Sequence, residues 1–195
     1  MSVRPHLARR FFARPTLQVA RDLLGQHLVH VAGGVRLAGR IMETEAYIDQ
    51  TDLACHARFG RTPRSQVMFG PPGHAYIYFT YGMHWMLNIV TEAENCPAAV
   101  LIRAIAPDDG LPIMQARRGP PAAARHLTDG PGKLAQAMGI NKALNGHDLC
   151  APEAALFVER APRVPAARVQ VGPRIGLNHT PEPWKSMPWR FWVTL

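Results

Sequence analysis

Two glutamates and an arginine stand where buried strands are expected. Glu43-Thr44-Glu45-Ala46-Tyr47 lies inside a run of β-type residues, and the two-residue period of a strand puts Ile41, Glu43, Glu45 and Tyr47 on one face. A face mixing two carboxylates with Tyr and Ile is no ordinary solvated face, although an edge strand with surface glutamates gives the same pattern. Arg103 interrupts the apolar run Val100-Leu101-Ile102-Arg103-Ala104-Ile105. A guanidinium there must reach solvent or meet a carboxylate, because an unpaired buried charge is too costly. Glu43 and Glu45 are its obvious partners if the two strands are neighbours. Such a pair holds a glutamate ionised by lowering its pKa. The other reading is a structural salt bridge, which is common.

Aromatic and imidazole side chains crowd the stretch that follows: Tyr47, His56, Phe69, His74, Tyr76, Tyr78, Tyr81, His84 and Trp85. Tyrosine fits a half-wet pocket that stacks a planar ligand, whereas Phe69, Ile77 and Phe79 read better as core. No histidine pair has His-x-x-x-His spacing, and Cys55, Cys96 and Cys150 form no C-x-x-C, so neither a metal site nor a disulfide framework is expected. Gly130-Pro131-Gly132-Lys133 resembles the end of a phosphate loop. Leu134 stands where Ser or Thr would hold magnesium, which argues against a nucleotide triphosphatase. A helix starting at Gly132-Lys133 can still take one backbone phosphate. With Arg58, Arg61 and Arg64, Lys133 makes a track for a nucleic-acid backbone or, as readily, a solvated basic loop.

Composition points the same way. The 195 residues carry 22 basic and 14 acidic side chains, a net charge of +8, with lysine only at Lys133, Lys142 and Lys185. That balance favours a polyanionic partner, nucleic acid before anionic membrane. With 47% hydrophobic and 18% charged residues the chain is globular, not disordered. No apolar run approaches the roughly 20 residues of a membrane span, so a soluble protein of the cytoplasm is expected. The acid-free start with Arg4, Arg9, Arg10 and Arg14 resembles a transit peptide, but it runs unbroken into a periodic helix, and we take the mature chain to begin near residue 1.

The elements that must position these residues follow from turn signals and periodicity. Pro15-Thr16 opens a helix that Gly25 ends, and His27–Ala32, Gly33-Gly34 and Val35 to about Ile48 read as a hairpin. A polar loop from Asp49 closes at Pro71-Pro72-Gly73. His74–Tyr81 and His84–Val90 form a second hairpin around Gly82-Met83, with Tyr81 at its tip. Pro97–Ile105 is a further strand, Leu111–Arg118 and Lys133–Met138 are helical, and short strands lie near Leu156–Glu159, Arg168–Val171 and Arg190–Val193. The order predicts one α+β domain spanning 1–195. It should hold a mostly antiparallel, curved β-sheet with surrounding helices and a protruding β-hairpin.

Taken together, several segments resemble the alkyladenine (3-methyladenine) DNA glycosylase family. They are Gly39-Arg40-Ile41-Met42-Glu43-Thr44-Glu45-Ala46-Tyr47, Ala54-Cys55-His56, Arg61-Thr62-Pro63-Arg64, Met68-Phe69, 75–83, Leu87-Asn88-Ile89, 100–103, 132–142 and Arg174-Ile175-Gly176. The resemblance runs in order from about Leu7 to the C-terminus. It implies excision of damaged purines from double-stranded DNA by hydrolysis of the N-glycosidic bond, after the lesion is flipped from the duplex. It implies Glu45 as the base that activates water, with Arg103 and the main-chain carbonyl of Ile175 holding that water. Tyr47, His56 and Tyr78 would line the base pocket, Tyr81 would fill the gap in the duplex, and Asn88 would clash with the 2-amino group of guanine. Arg61, Arg64 and Lys133 would meet the DNA backbone. Glu43 is either a second acid or a structural partner, and the structural role is favoured. A monomer is implied, without metal or cofactor and without a lysine placed for a Schiff base, and hence without strand cleavage.

Two other classes compete. A non-catalytic nucleic-acid-binding module accounts for the charge and the aromatics but leaves Glu45 and Arg103 as coincidence. A glycoside hydrolase using Glu43 and Glu45 is poor, because two residues of one strand cannot readily flank a sugar from opposite faces.

Overall fold

The strand β2 (Val35–Ile48) is the spine of the structure. In the computed structural model, which describes residues 5–120 and 126–194, three neighbours in turn satisfy the backbone groups of β2. β1 (His27–Ala32) folds back on its first half through Gly33 and Gly34, both at positive φ as a tight hairpin turn requires. β5 (Ala98–Asp109) runs along the opposite edge from Ala38 to Ile48. Where β1 stops, β8 (Arg190–Trp192) takes over the vacated edge at Glu43, Thr44 and Glu45.

The remaining strands extend this frame. β3 (Ala75–Thr80) and β4 (His84–Val90) form a hairpin whose β4 pairs with β5, β6 (Leu156–Glu159) pairs with β1, and β7 (Gln170–Gly172) pairs with β8. Every pairing is antiparallel, in the order β3-β4-β5-β2-β1-β6, and the sheet curls into a half-barrel. Among the described residues four α-helices accompany it: α1 (Arg9–Phe12), α2 (Thr16–Asp22), α3 (Leu111–Arg118) and α4 (Pro131–Met138). The expected α+β architecture with a protruding hairpin is the one observed. The short strand expected near Arg168–Val171 starts two residues later, because Ala166–Arg168 is a 3₁₀ turn. Arg4, one of the N-terminal arginines, lies outside the described residues.

The main core packs Val19, Ala20, Leu23 and Leu24 from α2 and its exit against Ile41, Ala46, Val100 and Ile102 of the sheet, with Leu134 and Met138 of α4 in the same cluster. Each fully buried leucine contributes about 2 kcal/mol. A second, smaller cluster holds Cys55, Met68, Phe69 and Tyr76, with Tyr47 and Tyr78 packed on it. The pocket described below forms over this second cluster.

Two expectations fail here. Ile41 does not share a face with Glu43, Glu45 and Tyr47. The register of β2 against β5 shifts on either side of Glu43, and Ile41 joins Ala46 in the main core. Thr44 follows Ala46, its hydroxyl donating to the Ala20 carbonyl of α2 at 2.8 Å. The irregularity breaks the two-residue alternation, as bulges do. Phe79, read as core, is 42% exposed near the hairpin tip and meets the Trp85 ring at a tilt, their centres 4.7 Å apart.

Candidate active site

Glu45 is 0% exposed, and each of its carboxylate oxygens has a partner. Oε1 accepts from the main-chain N–H of Ile175 at 2.7 Å and lies 3.3 Å from Nη1 of Arg103. Oε2 accepts from the Tyr47 hydroxyl at 2.9 Å. Arg103 reaches Glu45 because β5 lies antiparallel beside β2, and its Nε donates to Glu43 Oε1 at 2.9 Å. Glu43 also accepts from Arg190 Nη1 of β8 at 3.1 Å. Glu43 is thus held between two arginines, while Glu45 shares one arginine with it.

Arg103 pulls the pKa of Glu45 down, as expected, but the net shift is upward. Burial raises it, and this outweighs the opposing pull of Arg103, the Ile175 amide and the Tyr47 hydroxyl; Glu43 adds a further push upward. A carboxylate taken fully out of water loses more solvation than one partly shared guanidinium returns. The net result is a carboxylate of raised affinity for protons.

In front of Glu45 opens a cavity of about 340 Å³ walled by Tyr47, Arg103 and Ile175 on the carboxylate side. Glu45 itself does not face the cavity; the three groups that touch its oxygens stand between. His56, Tyr78 and Asn88 complete the wall, over a floor that includes Met68, Met86 and Leu101. His56 Nδ1 lies 2.7 Å from the Tyr76 hydroxyl, and its ring meets that of Tyr78 edge-on at 4.5 Å. Burial, reinforced by Arg64 and Arg58, lowers the His56 pKa to about 4, so the imidazole is neutral near pH 7. Burial likewise pushes Tyr78 up to about 12 and Tyr47 well above its ordinary value, the latter aided by the Glu45 charge. Both hydroxyls therefore keep their protons. Asn88 is buried opposite Tyr76, and its Nδ2 donates to the Tyr76 carbonyl at 3.1 Å, which fixes the amide.

At the cavity mouth stands the tip of the β3–β4 hairpin. Tyr81 and Gly82 both have positive φ, as the two central residues of a turn that the Met83 N–H closes on the Thr80 carbonyl, within the three-residue loop 81–83. For tyrosine this conformation costs about 1 kcal/mol, and it thrusts a ring that is 77% exposed over the pocket it also lines. Gly132 near the start of α4 sits so close to the hairpin that a Cβ there would lie 2.8 Å from the His84 ring. The glycine thereby lets α4 and the hairpin close together beside the pocket, where Pro131 forms part of the wall.

The basic residues flank this mouth. The Arg64 guanidinium lies 5.1 Å from the Tyr78 ring centre and donates to the Phe79 carbonyl at 3.3 Å. Arg61 lies over Phe69 and donates to Asn95 Oδ1. Lys133, on α4, is engaged by Asp129 at 2.8 Å.

The structure thus brings Glu45, Arg103, Ile175, Tyr47, His56, Tyr78, Asn88 and Tyr81 to one cavity, with Arg61, Arg64 and Lys133 on segments around it. At Ile175 it is the amide N–H that meets Glu45, a different main-chain group from the carbonyl expected to hold the water. Sequence reasoning missed Asp52, which carries no periodic signal in its loop, and it saw Arg174 only through a resemblance. Among the described residues no three His, Cys, Asp or Glu side chains cluster so as to hold a metal ion, and no helix is long and apolar enough to cross a membrane.

The curled sheet thus holds a buried carboxylate behind an aromatic pocket, with an exposed tyrosine at its mouth and basic residues on the flanking loops. Residues 10–195 match the family described as methylpurine-DNA glycosylase (MPG), and the chain belongs to that family of DNA repair enzymes. It is 52% identical over 190 residues to a protein of Methanocella arvoryzae, covering 96% of this chain and 92% of the relative. A Myxococcus xanthus protein is 49% identical over 187 residues, covering 96% and 89%, and a Chlorobaculum parvum protein 47% over 189 residues, covering 96% and 87%. All three relatives carry the provisional name 3-methyladenine DNA glycosylase.

Proposed function

We propose that this protein, acting as a monomer on double-stranded DNA, flips out alkylated or deaminated purines of the 3-methyladenine, hypoxanthine and ethenoadenine class and hydrolyses their N-glycosidic bond. The observation that carries this reading is the buried Glu45, ion-paired to Arg103 directly behind an aromatic-walled cavity of about 340 Å³. The C1′–N bond breaks with its electron pair leaving on the base, and the water oxygen bonds to C1′. The water proton passes to Glu45. The carboxylate also stabilises the positive charge that develops on the sugar, and Arg103 with the main-chain carbonyl of Ile175 holds the water. Glu45 meets that water where Tyr47, Arg103 or the Ile175 segment yields, since these cover its oxygens.

Tyr47, His56 and Tyr78 stack on the flipped base, and electron-rich rings favour one that is cationic. Tyr81 fills the vacated stack, Asn88 rejects guanine, and Arg61, Arg64 and Lys133 neutralise backbone phosphates. No lysine lines the cavity among the described residues, which supports hydrolysis without a Schiff base and without strand cleavage. The test is a base-release assay on short duplexes, each carrying one lesion, in EDTA, with and without hot alkali. Base release with strand breaks appearing only after alkali is expected. Tight binding without release from any lesion would refute the reading.

A further inference from the structure

Arg174 and Asp52 form an ion pair in which both side chains are 0% exposed. The guanidinium fork grips both carboxylate oxygens, Nη2 donating to Oδ1 at 2.9 Å and Nη1 to Oδ2 at 2.5 Å. Nη1 also donates to the Ala46 carbonyl at 3.1 Å, and Nη2 to the Trp184 carbonyl at 3.2 Å. The guanidinium carbon lies 4.7 Å from the Tyr47 ring centre and 4.9 Å from that of Trp189. Asp52 in turn accepts from the main-chain N–H of Ala54 at 3.0 Å and of Ile48 at 3.3 Å. Neither residue lines the cavity.

A buried ion pair is weak as a source of stability, since desolvation offsets most of its attraction. What this pair does is join three segments: the end of β2 at 46–48, the loop that leads to His56, and the C-terminal stretch that begins at Arg174. The residue after Arg174 is Ile175, whose N–H caps Glu45, and the carbonyl after Glu45 is the one Arg174 holds. A lysine cannot substitute, because one ammonium cannot grip a carboxylate by both oxygens and two carbonyls in a plane.

We propose that Arg174 and Asp52 are positioning residues that set the Ile175 N–H on Glu45 and brace the Tyr47 ring, so that the pair governs the proton affinity of the catalytic base without touching substrate. The proposal rests on Glu45 being the base. The groups that face Glu45 are Arg103 from β5, Glu43 and Tyr47 from its own strand, Tyr78 from β3, and the Ile175 amide; Arg190 from β8 acts through Glu43. Of these, the Ile175 amide and the Tyr47 hydroxyl depend on the clamp, and both stabilise the ionised carboxylate. Loosening them raises the pKa of Glu45 further.

The experiment is single-turnover excision as a function of pH for wild type, Arg174→Lys and Asp52→Asn, with folding checked by thermal denaturation and affinity measured on uncleavable abasic-site DNA. In both variants the acid limb of the rate profile should move up by about one pH unit. The plateau rate should fall by about tenfold to a hundredfold, with DNA affinity kept. A reduced rate with an unmoved acid limb would make the pair merely structural and overturn the proposal. Should Arg174→Lys not fold, Asp52→Asn and a measurement on the native protein decide: the Ile175 amide resonance should titrate with the same midpoint as the acid limb, and an amide indifferent to pH there would overturn the coupling. A wild type without an acid limb, or an active Glu45→Gln, would instead remove Glu45 as base and the proposal with it.

Discussion

The Tyr47 hydroxyl donates to Glu45 Oε2 at 2.9 Å from two residues along the same strand. One ring therefore paves the pocket and orients the carboxylate behind it. The irregular register around Glu43 makes this possible, because it turns Glu43, Glu45 and Tyr47 away from the core that Ile41 and Ala46 share. Function at this position is held against stability.

That cost is measurable. The raised pKa means that folded Glu45 binds a proton more readily than unfolded Glu45. Stability is therefore lost as pH rises through the folded pKa, and is regained below the unfolded one. Glu45→Gln, neutral at every pH, should melt above wild type near pH 7, and the gap should close as pH falls. A variant that melts lower throughout would show that the ionised form is favoured by the fold.

His56 works with the opposite sign. Its pKa is lowered from 6.5 to about 4, so between those values the unfolded chain takes a proton that the folded one refuses. The stability His56 brings is present above pH 6.5 and drains away as pH falls toward 4. By NMR its ring signals should stay at their neutral positions until pH nears 4; a midpoint close to 6.5 would contradict the neutral imidazole in the pocket wall.

Tyr81 can be removed without harming its turn, since glycine accepts the positive φ that tyrosine tolerates at a cost. Tyr81→Gly should lose about tenfold or more in excision from duplex DNA, where unstacking must be compensated, and little from single strands. Equal losses on both substrates would count against a wedge.

Asn88 is fixed by its bond to the Tyr76 carbonyl, so its bulk cannot swing aside. Asn88→Ala should raise release of normal guanine by about tenfold, at a stability cost of about 1 kcal/mol for the carbonyl left without its donor. Unchanged guanine release would dissociate Asn88 from base selection.

Much of this site could be read from the chain because its signals are local. Tyr81-Gly82 at a hairpin tip follows from turn chemistry, and a charge as conspicuous as Arg103 in an apolar strand names its own partners. Other features are products of tertiary structure. No periodicity predicts that the register shift would send Ile41 and Glu43 to different sides, or that burial would outweigh Arg103 in setting the proton affinity of Glu45. Phe79 reads as core by type, yet its place near a protruding tip leaves it half in water. The Arg174–Asp52 pair joins residues 122 apart, and the Ile175 contact is made by a backbone group whose side chain is irrelevant to it. Neither leaves a pattern in composition or spacing.

The most direct test of Glu45 is single-turnover excision of one damaged purine from duplex DNA by wild type and Glu45→Gln, with binding to the same duplex measured alongside. A loss of about a thousandfold in base release with binding intact is predicted for a general base. Release within about tenfold of wild type would fall short of a general base's contribution and contradict the account.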